Sequence, residues 1–241
     1  MEPIVKIDNL KFRYTRNYIL KGIDLSLDKG TCLGLLGSNG SGKTTLINCI
    51  LGELNYEGEV IINNYKPDIY SKDFKKNIGI VLDNDILIDY LTLNEYLIYI
   101  GKLEKIDNVV LAQRINYWMK ALKIEEHRHR ILKFFSHGMR KKVQLIAALI
   151  KEPLILIIDE PTNGLDVEMI YLLKNIINDL KKKGLTIIVS THIISFIEDV
   201  CDKAAIINNG IIQKITELPL KCDEDLESIF IKEVLGNGEE K

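Results

Sequence analysis

Lys43 stands at the end of the run Gly37-Ser-Asn-Gly-Ser-Gly-Lys43-Thr44-Thr45, which follows the apolar Thr31-Cys-Leu-Gly-Leu-Leu36 and opens into Leu46-Ile-Asn-Cys-Ile-Leu51. That is strand, glycine-rich turn and helix start, the context of a phosphate-binding loop. Glycines let successive backbone N–H groups turn inward, so Gly37, Ser38, Asn39, Gly40, Ser41 and Gly42 are candidates to cradle a nucleoside triphosphate. The helix N-terminus adds partial positive charge beneath the anion. Lys43 would reach the β- and γ-phosphates, and the Thr44 hydroxyl would ligate Mg²⁺. A second group closes another aliphatic run, Leu154-Ile-Leu-Ile-Ile158-Asp159-Glu160. An acid at the C-terminal end of a buried parallel strand sits where sheet ligands bind. Asp159 would hold Mg²⁺ through its hydration shell, and Glu160 would orient and deprotonate a water. "Aliphatics then Asp-Glu" says little alone. With Lys43 and Thr44 it describes phosphoryl transfer to water.

These groups need a scaffold, and the patterning supplies one. Ile4–Tyr14 and Ile23–Leu27 alternate with period two, as half-buried antiparallel strands do. Gly52 is placed to end the helix that follows the loop. Glu59–Ile62 reads as a short strand turning at Asn63-Asn64, and Ile78–Leu82 as a buried one. From about Asp85 to Ile150 the character is helical. Thr92-Leu-Asn-Glu95 forms a capping box ahead of Tyr96, Leu97, Ile100 and Leu103, and a second stripe runs through Val109, Ile115, Trp118, Met119 and Leu122. His127-Arg-His-Arg130 reads as a solvated basic turn, because histidines two apart share no helix face. Strands return at Leu154–Ile158 and Thr186–Ser190, with a helix at 167–182 between them, and a hairpin joins Ala204–Ile207 to Ile211–Ile215. Leu226, Ile229, Phe230 and Val234 suggest a short amphipathic helix in the tail. The fold expected is a phosphate-loop α/β domain with a parallel core sheet, an antiparallel β subdomain and a helical insertion.

Composition limits the alternatives. A chain of 241 residues that is 46% hydrophobic and 27% charged has enough apolar mass for a substantial core. The net charge of −2 gives no electrostatic footprint for nucleic acid. No apolar run approaches the roughly 18–20 residues that cross a bilayer, so no direct membrane insertion is expected. The N-terminus lacks the basic and apolar regions of a signal peptide. Cys32, Cys49, Cys201 and Cys222 are far apart, which reads as free thiols in a reducing compartment rather than a disulfide or zinc framework.

Between the two halves of the site lies Phe135-Ser136-His137-Gly138-Met139-Arg140, directly before a helix. A serine hydroxyl, a glycine N–H and a helix N-terminus make an anion site, and Arg140, Lys141 and Lys142 would oppose the helix dipole unless a phosphate docked there. Here the chain resembles the nucleotide-binding subunits of ABC transporters over nearly its whole length. Their signature is commonly Leu-Ser-Gly-Gly-Gln, and this run resembles the Ser-x-Gly-Met variant of ABC-2 type exporters. His137 fills the variable place and carries no assigned chemistry. The resemblance implies that Ser136 and Gly138 meet ATP held on a second nucleotide-binding subunit, so that two cassettes, as a homodimer, close head-to-tail. It implies further that Tyr14 stacks on adenine, Thr45 holds the α-phosphate, Asp166 lies in the loop linking the two sites, and His192 contacts the γ-phosphate. Where the family usually has glutamine, this chain has Asp83. An acid there resembles peptide-antibiotic resistance and immunity cassettes. Aspartate is a hard oxygen ligand for Mg²⁺, but an anionic one that would repel a γ-phosphate without the metal.

The resemblance therefore implies a Mg²⁺-dependent ATPase in which Glu160, His192 and Lys43 act on ATP, with Thr44, Asp83 and Asp159 toward the metal. A separate integral-membrane permease is the implied partner, at the cytoplasmic face of the membrane. In domain terms, residues 1–220 form the cassette, with 1–84 and 151–220 as core and 85–150 as helical subdomain, and 221–241 form a tail. The competing expectations are a nucleotide sensor that barely hydrolyses, because of Asp83, and a soluble ABC protein without a permease.

Overall fold

The structure, a computed structural model, describes residues 2–68, 70–84, 86–220, 225–234 and 236. The alternating N-terminal segments form strands β1 (Val5–Phe12) and β2 (Leu20–Leu27). The all-buried β3 (Cys32–Leu36) follows, then the glycine loop and helix α1 (Lys43–Ile50). After α1 come β4 (Glu57–Ile62), a one-turn helix α2 (Lys72–Lys76) and β5 (Ile78–Val81). The insertion is helical: α3 (Leu93–Leu103), α4 (Asn108–Ala121) and α5 (His137–Leu149). The Thr92–Glu95 capping box is present in full at the start of α3. The chain then runs through β6 (Ile155–Asp159), α6 (Val167–Lys182), β7 (Thr186–Thr191), α7 (Ile194–Val200), the hairpin β8 (Lys203–Asn208) and β9 (Ile211–Glu217), and α8 (Leu226–Val234).

Two sheets result. The three-stranded sheet, in order β2-β1-β4, is antiparallel. The six-stranded sheet, in order β5-β6-β7-β3-β8-β9, is parallel except for its β8–β9 edge. Alternation splits each central strand between two cores. Ile155, Ile157 and Ile188 face α1 and the small sheet. Leu156, Ile158, Ile187 and Val189 face the helical side. A sheet covered on both faces needs such unbroken aliphatic strands. The order β5-β6-β7-β3 also brings the C-terminal ends of four strands side by side. The groups carried there are Asp83, Asp159-Glu160, His192 and the glycine loop.

Several sequence expectations shift. Leu103 and Val109 are exposed (62% and 66%) instead of lying in the buried stripes. The buried face of α4 is Leu111, Ile115 and Met119, and Val109 stands two residues, about 200° of helix, from Leu111. The basic turn is built into the fold. The Arg128 guanidinium donates to Asn94 Oδ1 at 2.9 Å and to Asn116 Oδ1, tying α3 to α4. Of the thiols, Cys32, Cys49 and Cys201 are buried and unbridged, Cys32 and Cys201 with sulfurs 3.5 Å apart. Burial pushes the Cys49 thiol up to about 12, so it stays an uncharged core side chain. Cys222 lies outside the described residues, as does much of the tail assigned to 221–241.

Candidate nucleotide-binding cleft

A cleft of about 570 Å³ opens at the C-terminal ends of the parallel strands, lined by the glycine loop and by Asp83, Glu160 and His192. The loop is fixed by its own backbone. Gly42 takes φ 112°, which a side chain resists, and so becomes the residue that starts α1. The N–H groups of Lys43, Thr44 and Thr45 have no acceptor among the described residues, as in any first helical turn. These donors lie where an anion would approach. Lys43 is 95% buried by its neighbours (5% exposed), and its ammonium donates to Gly37 O at 2.8 Å and Ser38 O at 3.2 Å. Asn39, Gly40, Gly42, Thr44 and Thr45 also line the cleft, whereas Gly37 and Ser41 are buried behind it.

The acidic pair faces this loop. Thr44 Oγ1 donates to Asp159 Oδ2 at 3.2 Å, and Ser190 Oγ donates to the other oxygen of Asp159. Glu160 follows with a left-handed backbone, φ 44°, uncommon for a side chain of this kind. Its N–H donates to Ser190 O at 2.9 Å, a bond that turns the chain off β6 and aims the carboxylate back at the loop. One carboxylate oxygen then lies 3.4 Å from Lys43 Nζ, and the other accepts from His192 Nδ1 at 3.1 Å. Strain of about 1–3 kcal/mol held at such a position marks a residue whose direction matters.

The remaining predicted residues lie elsewhere. Tyr14 is 62% exposed beyond β1, its ring edge against Phe12 with centroids 4.7 Å apart, and does not line the cleft. Ser136 and Asp166 cap α5 and α6, accepting from Met139 N–H at 3.3 Å and Met169 N–H at 2.8 Å. Gly138 sits in the first turn of α5, and a methyl group there would meet only Leu165, at 3.5 Å. Its bare backbone therefore answers no crowding within this chain. The cations of α5 do not await a phosphate as the sequence suggested. Arg140 is bound to Asp89 at 2.7 Å, and buried Lys141 donates to Leu82 O at 2.6 Å and Asp83 O at 3.3 Å. Burial holds Lys142 below the usual lysine range, against the opposing pull of Glu168 and Asp166.

Sequence reasoning missed Asn163 and Ile19, which also line the cleft. Asn163 was visible as an amide in the turn after the acidic pair; nothing in the sequence flagged Ile19. A larger cavity, about 640 Å³, opens elsewhere beside Trp118, Leu154 and Leu180. There Arg114 is already bound to Ile150 O and Glu152. The oxygens at the smaller cleft fit Mg²⁺: the Thr44 hydroxyl and Asp83 line it, and buried Asp159 is hydrogen-bonded to Thr44. Among the described residues no three His, Cys, Asp or Glu side chains converge to hold a metal alone.

Known proteins are similar to this chain in sequence and fold. Residues 20–163 match the family model for ABC transporters. An uncharacterised ABC transporter ATP-binding protein of Methanocaldococcus jannaschii is 35% identical over 214 residues, covering 87% of this chain and 76% of its own. The linearmycin resistance ATP-binding protein LnrL of Bacillus subtilis is 32% identical, covering 86% of this chain and 67% of its own. The solved structure of an ATP-binding subunit of an ABC transporter superposes with TM-score 0.89 at 27% identity, covering 95% of this chain and 99% of that one. The chain belongs to the ABC transporter family, as one of its ATP-binding subunits.

Proposed function

We propose that this chain is the Mg²⁺-dependent, ATP-hydrolysing subunit of an exporter, working on a separate integral-membrane permease from the cytoplasmic face. The observation that carries the reading is Glu160, strained at φ 44° and aimed between Lys43 and His192 at the mouth of the phosphate cleft. The loop N–H groups and Lys43 bind the β- and γ-phosphates, Thr45 the α-phosphate, and exposed Tyr14 offers its ring to adenine. Thr44, Asp159 and Asp83 would hold Mg²⁺, which when bound neutralises charge across the β- and γ-phosphates. Glu160 orients a water and takes its proton as the water oxygen bonds to the γ-phosphorus and the bridging P–O bond to ADP breaks. His192 holds the second oxygen of Glu160 and contacts the γ-phosphate. Lys43 enters this scheme twice, as a phosphate ligand and as the cation 3.4 Å from the Glu160 carboxylate that holds its direction.

Ser136, Gly138 and Asp166 do not line this chain's own cleft, which supports a second copy closing head-to-tail with its nucleotide against α5. The open backbone at Gly138 favours that approach. Closure by ATP and reopening after hydrolysis is a population shift toward the state that binds ATP better. Residues 1–84 and 151–220 act as the core, 85–150 as the helical subdomain, and 221–241 as a tail. The direction, export, is supported by the Ser136-His-Gly-Met run and by the name of the linearmycin resistance relative.

The test is Mg-ATP hydrolysis by the purified chain beside its Glu160→Gln form, with size-exclusion chromatography of both in ATP. Loss of the base should lower turnover about 10²–10⁴-fold, leave ATP bound, and trap a dimer. A chain that binds ATP but neither turns over nor dimerises would leave a nucleotide sensor as the better reading.

A further inference from the structure

We infer that Asn163 is a positioning residue for this cleft: its side-chain amide sets the Asp83 carboxylate, and its backbone carbonyl fastens that carboxylate to the start of α5. Asn163 Nδ2 donates to Asp83 Oδ1 at 3.1 Å, across 80 residues of sequence. Asn163 O lies 3.0 Å from His137 Nε2. A carbonyl only accepts, so His137 carries its hydrogen on Nε2. One turn further along α5, Lys141 Nζ donates to Asp83 O, and Gln144 Oε1 accepts from Leu82 N–H at 3.0 Å. The circuit runs from His137 to Asn163 to Asp83 to Lys141 and closes on the same helix.

The chemistry of the pair explains why these two residue types occur together. An ionised carboxylate has only acceptors, so the group that fixes it must donate. An amide donates without carrying a charge of its own, so it fixes the direction of Asp83 without pairing it with a cation. A carboxylate at position 163 would put two like charges at 3.1 Å. Asp83 in place of a neutral glutamine is thus matched by its partner rather than tolerated. Because Asn163 bears on both Asp83 and His137, a shift of the carboxylate when nucleotide binds passes to the N-terminus of α5. The inference rests on the reading of this cleft as the nucleotide site.

The experiment compares N163D, N163A, D83N and the exchange D83N/N163D, in which donor and acceptor trade places. The readouts are hydrogen–deuterium exchange of the peptides containing Leu82 and His137–Lys141, and the rate of Mg-ATP hydrolysis against free Mg²⁺. N163D should lower turnover about 10–100-fold, as loss of a supporting group usually does, raise the Mg²⁺ needed for half-maximal rate, and speed exchange in both peptides. D83N/N163D should restore slow exchange and bring turnover within about threefold of D83N alone, the mark of a coupled pair. N163A should reproduce the faster exchange without introducing charge, and serves where N163D does not fold. An equal cost of N163D in the native and D83N backgrounds would overturn the proposal. So would variants that melt earlier with unchanged Mg²⁺ dependence, since that is packing alone. If the native chain does not hydrolyse ATP, the proposed function fails, while the exchange pattern still decides whether Asn163 couples Asp83 to α5.

Discussion

Glu160 shows how much of the site is decided by single atoms. Each carboxylate oxygen has its own partner, Lys43 on one side and His192 on the other, and the two partners differ in what else they support. The Lys43 ammonium also satisfies Gly37 O and Ser38 O inside the loop. Lys43→Ala therefore leaves loop carbonyls unpaired, and should cost about 1–3 kcal/mol of stability as well as most of the affinity for Mg-ATP. His192 is half-exposed, and Glu160 is its only side-chain partner among the described residues. His192→Ala should fall within about 0.5 kcal/mol of the native chain in a thermal melt, hold ATP within a few-fold, and lose turnover about 10²-fold or more. A melt and a binding titration on the two variants separate these outcomes. Equal destabilisation by both would show His192 to be a structural residue.

At the scale of elements, the cleft depends on the hairpin that borders it. Gly210, in the β8–β9 turn, donates to Ser41 O at 3.0 Å and accepts from Lys21 N–H at 2.9 Å, pinning the phosphate loop and the start of β2 to one point. Its φ is 78°, and a methyl group there would lie 1.7 Å from Ile19 O. Gly210→Ala must push β2 away, so we expect a loss above about 3 kcal/mol in denaturant unfolding and weaker nucleotide binding, because Ile19 lines the cleft. A loss below about 1 kcal/mol would mean that the turn yields freely. None of this was legible in the sequence, where Asn208-Asn-Gly210 signals only a turn. The strand, loop and helix around Lys43 and the acidic end of β6 were legible because each is contiguous and repeats a simple period. The pairing of Asp83 with Asn163 was not, since it joins residues 80 apart through side-chain direction alone. Helices α2 and α7, at five and seven residues, are too short for a 3.6-residue period to stand out. The α5 cations misled for a related reason: sequence shows a charge near a helix end, but not the carbonyls and the carboxylate that already hold it.

Across the whole molecule, the nucleotide cleft lies at the C-terminal ends of the parallel strands, and a group of exposed apolar side chains lies on the insertion. Ile86 and Tyr90 are each 80% exposed and Phe134 is 60% exposed. The segment carrying the first two runs beside the one carrying Phe134, joined by Leu132 N–H to Leu91 O and Lys133 N–H to Asp89 O, each at 2.9 Å. Scattered apolar side chains need no explanation, but a grouped patch marks an interaction surface. Arg140 binds Asp89 from the first turns of α5, so this patch and the α5 N-terminus rest on one support. No helix among the described residues is long and apolar enough to cross a membrane. On the proposed function, we predict that this surface is where the separate permease docks. Placing glutamate at both Ile86 and Phe134 should leave melting within about 0.5 kcal/mol per site, as exposed substitutions do. It should also leave the isolated chain's Mg-ATP hydrolysis within about twofold, since neither residue lines the cleft. Recovery of the tagged chain with the membrane fraction of its own cells should fall by about tenfold, which corresponds to roughly 1.4 kcal/mol of lost association. Unchanged membrane recovery with intact folding would move the docking surface elsewhere, while lost hydrolysis in the isolated chain would mean the patch supports the cleft rather than a partner.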